Sequence, residues 1–155
     1  MEIAEIEKLL EQLSKREVSI ENTDTDIGSQ ASSMRCSRYM MTPELQERLV
    51  KTVGIEFGLN VTSSIGYISA ITVYENGGYI GWHTDSDRPG TRYVLSYSYG
   101  VGNKFYGNDE AYEDVVGWNK REFYTSEETP YRHKVECESK RLAIVLCVPD
   151  NTVRG

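Results

Sequence analysis

The run KRLAIVLCV, Lys140 to Val148, divides its side chains by alternation: Arg141, Ala143, Val145 and Cys147 fall on one face of an extended chain, Leu142, Ile144, Leu146 and Val148 on the other. This is a core-like strand with one foreign residue in it. A guanidinium buried in such a run needs an anionic partner, whereas one on a sheet edge can carry its head out to water. The small or modest neighbours on the Arg141 face leave room for a ligand, and a dicarboxylate would supply the anion.

Working outward, the period-two pattern extends back to residue 61, with β-branched and aromatic segments bounded by Gly, Pro, Asn and Asp. Strands are expected near 66–75, 78–84, 91–99, 103–106, 113–117, 121–125, 131–136 and 140–148. Before them, Ile3, Ile6, Leu9, Leu10 and Leu13 have helical spacing over 3–15. Thr42-Pro43-Glu44 carries the signals of a second helix start, followed by the stripe Leu45, Leu49, Val50, Val53 and Phe57. The Ser-, Thr- and Asp-rich stretch 18–41, with Arg35, Arg38 and Tyr39, reads as a surface loop or a lid. Short strands after two helices, with none interleaved, predict a mainly β (α+β) fold: a double-stranded β-helix, or jelly roll, with two N-terminal supporting helices. One domain is expected over 1–155, with helical support and loop in 1–60 and the jelly-roll core in 61–150.

The chain has 155 residues, 24 acidic against 17 basic, and a net charge of -7. That balance argues against a broad phosphate-binding surface, and no apolar block is long enough for a membrane span. The acidic start MEIAEIEKLL lacks the basic-then-apolar order of a signal peptide, which predicts a cytoplasmic location. Cys36, Cys137 and Cys147 are odd in number and lack CxxC spacing, so they read as reduced packing thiols.

The chain has two histidines, and both matter. His83 and Asp85, in YENGGYIGWHTDSD (74–87), form an H-x-D pair at a strand end, where alternate residues share a face. Alone, the pair also describes a surface turn in which Asp85 accepts a hydrogen bond from His83. His133 lies 48 residues after Asp85, on another predicted strand and eight residues before Arg141. Two neutral imidazoles and one carboxylate form the facial set that holds non-haem Fe(II) with open positions. Trp82 is expected to turn away into packing, Tyr97 to share the barrel interior with Leu95 and Tyr99, and Asp87 to serve the turn. The stretch Asp109 to Asp114 reads as a solvated acidic loop.

Taken together these residues resemble the Fe(II)/2-oxoglutarate-dependent dioxygenases, and among them the prolyl-4-hydroxylase-like group. The shared pattern is Tyr74, Asn76, Gly77, Tyr79, then His83, Asp85, Arg92 and YVLSYSYG, then His133, Val135 and RLAI from Arg141. It covers residues 66–148. The resemblance implies iron on His83, Asp85 and His133, and a 2-oxoglutarate carboxylate held by Arg141 with Tyr99, Tyr74 lining the same pocket. Arg92 and Tyr79 are implied near the substrate; a solvated strand-start arginine describes Arg92 equally well.

The implied function is hydroxylation of a protein side chain, prolyl included, a free amino acid or another small substrate, with release of succinate and CO2. Fe(II), 2-oxoglutarate and O2 are the implied cofactors, with ascorbate as a reductant. Three other readings stand beside it. HTDSD also resembles the turn of AlkB-type nucleic-acid demethylases, although the acidic balance argues against a nucleic-acid partner. A non-catalytic jelly-roll module would bind metal without consuming 2-oxoglutarate. A cupin-type hydrolase or isomerase would leave Arg141 and Tyr99 without a role.

Overall fold

The computed structural model describes residues 2–20, 33–85, 88–108 and 110–150. The first helix, α1 (Ile3–Leu10), buries Ile6 and Leu10 but stops short of the 3–15 expected from its spacing. Leu13 N–H closes a tight turn onto Leu10 O at 3.0 Å, and Lys15 already begins a strand. Pairing in a sheet has overridden a short run of helical propensity.

The stretch read as a loop is where sequence and structure part. Lys15–Ile20 (β1) pairs with Ser33–Tyr39 (β2), and β2 pairs onward with the main sheet. SMRCSRY holds no Val, Ile or Thr, so it carries no strand signature of its own. Residues 21–32, the centre of the expected lid, lie outside the described residues. The second helix, α2 (Pro43–Glu56), forms as its start signals predict: Thr42 Oγ1 accepts the Leu45 N–H at 3.3 Å, and Leu45, Leu49, Val50 and Val53 form the buried stripe.

The two strands expected over 66–84 are one, β3 (Tyr67–His83). Gly77, at φ +82, lies where β3 changes partner: residues 67–74 pair with β9 (Arg141–Pro149) and residues 79–83 with β8 (His133–Glu136). The rest are β4 (Gly90–Ser98), β5 (Lys104–Gly107), β6 (Glu110–Glu113) and β7 (Gly117–Thr125). Neighbours run β6-β5-β8-β3-β9-β4-β7, and every pairing is antiparallel. Part of the acidic stretch expected as solvated loop is therefore strand β6, and Asp114 beyond it is buried.

The jelly-roll sheet has two apolar faces. On one, Ile71, Val73, Leu95, Leu142, Ile144 and Leu146 pack with Ile6, Leu10, Leu49 and Val53 of the helices. On the other, Tyr74, Val94, Phe105, Phe123, Val135 and Ala143 surround a cavity. The alternation of β9 is as read from KRLAIVLCV: Leu142, Ile144 and Leu146 face the helices, Arg141, Ala143 and Val145 the cavity. A bulge in β3 between Ile68 and Ala70 puts both Ser69 and Ala70 on the cavity side. Among the described residues no helix is long and apolar enough to cross a membrane.

Candidate metal centre

His83 ends β3 and His133 begins β8, and the two are direct cross-strand partners. Their rings lie 4.0 Å apart between centroids, with Phe123 at 4.7 Å and Phe105 at 6.0 Å walling the His133 ring. Asp85, two residues beyond His83, sits in the left-handed region at φ 53. A non-glycine residue there is uncommon and must be held in place by its surroundings. Arg92 does part of this, donating from Nη2 to the Asp85 carbonyl at 3.3 Å.

Each imidazole is oriented from behind. His83 Nδ1 lies 2.8 Å from Gly81 O, and His133 Nδ1 lies 3.1 Å from Tyr131 O. A carbonyl only accepts, so each Nδ1 carries a proton, the tautomer that leaves Nε2 of a neutral ring facing forward with its lone pair. Those two Nε2 atoms are 3.5 and 3.4 Å from Asp85 Oδ2, longer than a well-formed N–H···O hydrogen bond of about 2.7–3.2 Å. The three ligand atoms lie within 4.8 Å of one another. Two lone pairs and a carboxylate facing each other repel unless a cation sits among them. The donor set therefore fits a divalent metal, with ring tautomers fixed by second partners as metal-binding histidines require.

Charge states agree with this. Burial pushes His83 down to about 4, with nearby His133 adding to the effect and Asp85 opposing it, so the ring is neutral at ordinary pH. Burial alone would raise the Asp85 carboxyl, but His133, His83 and Arg92 together hold it below its usual value.

The cavity, about 360 Å³, extends from this triad to Arg141. Arg141 already has a counter-ion, which corrects the expectation that a bound dicarboxylate must supply one: its Nε donates to Asp114 Oδ2 at 2.9 Å, and both side chains are 1 % exposed. Asp114 Oδ2 also accepts from Ser98 Oγ at 3.1 Å, and Asn103 Nδ2 donates to that same Oγ at 3.1 Å. One donor remains, because Arg141 Nη2 is buried without a hydrogen-bond partner. The Tyr74 ring lies 5.7 Å from the guanidinium carbon. Burial raises the Tyr74 hydroxyl well above its ordinary value, against the pull of Arg141, and keeps it a proton donor.

The expected site residues thus divide. His83, Asp85, His133, Arg141, Tyr74 and Arg92 line one cavity. Tyr99 does not join them: its hydroxyl donates to Glu7 Oε2 at 2.7 Å, and its ring packs on Tyr97 at 4.9 Å on the helix-facing side. Tyr97 goes with it, against Trp118 at 5.2 Å, so neither lines the interior. On β4 the cavity side carries Arg92 and Val94, the opposite parity to the one expected. Tyr79 lines a separate depression with Gly77, Lys104 and Glu136. Trp82 is half-buried beneath cations, Arg132 at 5.0 Å and Lys134 at 5.1 Å, rather than in the core. Asp87 lies outside the described residues.

Sequence reasoning missed Asp114, read as solvated, and Arg38 and Arg88, which also line the cavity. Arg38 was visible only as part of a loop, and a strand in 33–39 was the missing signal.

No family model matches the chain, and no curated protein matches it in sequence. Solved structures do resemble it in fold. A 2OG-Fe(II) oxygenase family oxidoreductase from Burkholderia pseudomallei has a TM-score of 0.57 at 16 % identity, covering 96 % of this chain and 78 % of its own. A predicted oxalate decarboxylase from Thermotoga maritima has a TM-score of 0.50 at 10 % identity, covering 90 % and 95 % respectively. At these identities the likeness establishes the jelly-roll fold that cupin-type proteins share, while the chemistry has to be argued from the site.

Proposed function

We propose that this protein is an Fe(II)- and 2-oxoglutarate-dependent oxygenase that hydroxylates a small molecule or a side chain. The observation that carries the reading is the convergence of His83 Nε2, His133 Nε2 and Asp85 Oδ2 in the same cavity as a buried arginine with a spare donor. Two histidines and one carboxylate leave coordination positions open for a chelating cosubstrate and for O2. Bound Fe(II) with 2-oxoglutarate would supply the oxidation, coupling decarboxylation to succinate and CO2 to hydroxylation of a substrate C–H bond.

The chain's own residues place and isolate the reactants. Arg141 Nη2 and the Tyr74 hydroxyl offer donors to the distal carboxylate of the cosubstrate. Asp114, Ser98 and Asn103 keep the guanidinium in one orientation. Val94, Phe105, Phe123 and Val135 line the cavity with apolar surface, which excludes water from the reacting centre. A cupin-type hydrolase or isomerase would also bind metal on this fold, but it would leave the spare donor on Arg141 without a role.

Aerobic incubation with Fe(II), ascorbate and 2-oxoglutarate tests the reading. Slow conversion of 2-oxoglutarate to succinate is expected even without a primary substrate, and His133→Ala should abolish it. Metal binding with no succinate formed under any condition would overturn the proposal.

A further inference from the structure

The cavity is far more basic than the chain. In a protein of net charge -7, Arg38, Arg88, Arg92 and Arg141 all line it, and among the described residues Asp85 is the one acidic lining residue. Arg141 is committed to Asp114. Arg92 is 4 % exposed yet reaches only backbone carbonyls, Gly90 O and Asp85 O, both at 3.3 Å. Among the described residues no salt bridge reaches Arg38, Arg88 or Arg92.

Among the buried groups, a divalent metal, Arg92 and Arg141 are balanced by Asp85, Asp114 and a cosubstrate dianion. Arg38 and Arg88 are exposed and line the same cavity, so they add two cations where it opens to solvent. Guanidinium forks without an acidic partner take an oxyanion through charge-assisted hydrogen bonds.

We infer that Arg92 and Arg88, both held against the Asp85 carbonyl, form a second anion subsite in the cavity, with Arg38 adding positive charge to the same lining, and that the hydroxylated substrate is a small molecule bearing a carboxylate or phosphate. The inference rests on the oxygenase reading given above. The size of the cavity and the acidity of the rest of the surface favour a small oxyanion over a nucleic acid, whose backbone needs an extended basic face. Arginine forks suit planar or tetrahedral oxyanions, and the two exposed lining arginines accommodate one or two negative charges.

The test is calorimetric titration of the protein, loaded anaerobically with Fe(II) and 2-oxoglutarate, with two probes: O-phosphoserine for phosphate and succinamate for carboxylate. Serine serves as the control without the added oxyanion. At least one probe should bind, and Arg88→Ala and Arg92→Gln should each weaken it about tenfold or more, with Arg88→Ala leaving 2-oxoglutarate affinity within twofold. Arg88 is exposed and on a turn, so its replacement tests the subsite even if Arg92→Gln fails to fold. Binding of neither probe, or equal binding by the Arg88 variant, overturns the subsite while leaving the oxygenase reading intact. If both variants lose 2-oxoglutarate instead, these arginines hold the cosubstrate and the inference is wrong. Failure of wild type to bind 2-oxoglutarate at all counts against the oxygenase reading on which it rests.

Discussion

Asp114 Oδ2 accepts the Arg141 Nε–H at 2.9 Å, and the two side chains, 27 residues apart, are each only 1 % exposed. The pair fixes the Arg141 guanidinium where it lines the cavity. It is asymmetric, because Arg141 Nη2 and Asp114 Oδ1 remain without hydrogen-bond partners.

Breaking this pair from one side strands a buried charge, so Asp114→Ala should destabilise the fold by about 3–5 kcal/mol in urea denaturation. The double replacement Arg141→Met with Asp114→Leu should recover most of that loss while abolishing 2-oxoglutarate binding. Equal destabilisation in single and double variants would show that packing, not charge, dominates at this position.

Tyr99 packs on the helix-facing core and Tyr74 lines the cavity, although the sequence suggested one shared pocket. Tyr99→Phe removes the hydrogen bond to Glu7 and should cost about 1 kcal/mol of stability, leaving 2-oxoglutarate affinity unchanged. Tyr74→Phe should lower that affinity several-fold in an anaerobic titration. A loss of affinity in the Tyr99 variant would overturn the assignment of that residue to the helix-facing side.

The two tyrosines show what alternation conveys and what it leaves open. Period two correctly sorted β9, where one face is purely aliphatic and must meet the core. On β4 and the residue after it both faces are mixed, Tyr93, Leu95, Tyr97 and Tyr99 against Arg92, Val94, Ser96 and Ser98, and the aromatic side looks the better lining. The helices took that side instead, a choice made by tertiary packing rather than by local pattern. The convergence of His83, Asp85 and His133 was readable because two histidines and an H-x-D pair leave few arrangements. Asp114 was not, because its acidic neighbourhood suggests solvent and its partner Arg141 lies beyond any local window.

Acid should weaken the metal-free protein in a defined window. His83 is held down to about 4 when folded, mainly by burial, so the unfolded chain binds the extra proton between there and the ordinary value of about 6.5. Stability from this group is complete above the unfolded value and is lost as pH falls toward the folded one, by up to about 3 kcal/mol. Below that range the depressed Asp85 carboxyl adds its own loss as it is protonated. Denaturation midpoints measured from pH 7 to pH 4 should fall for wild type and fall less for His83→Gln, and equal slopes would contradict the burial account.

A metal that binds only the folded state raises stability by mass action. Fe(II) or Mn(II) at 100 times its dissociation constant should add about 2.7 kcal/mol, seen as a rise in melting temperature. His133→Ala and Asp85→Ala should abolish the rise, whereas Tyr99→Phe should keep it.

The most direct test of the account is anaerobic addition of Fe(II) and then 2-oxoglutarate to the purified protein, monitored for the weak visible charge-transfer band of the chelated cosubstrate. The account predicts that the band appears in wild type, is absent in Asp85→Ala, and needs a much higher 2-oxoglutarate concentration in Arg141→Ala. Bound metal without the band, or a band indifferent to Arg141→Ala, would contradict it.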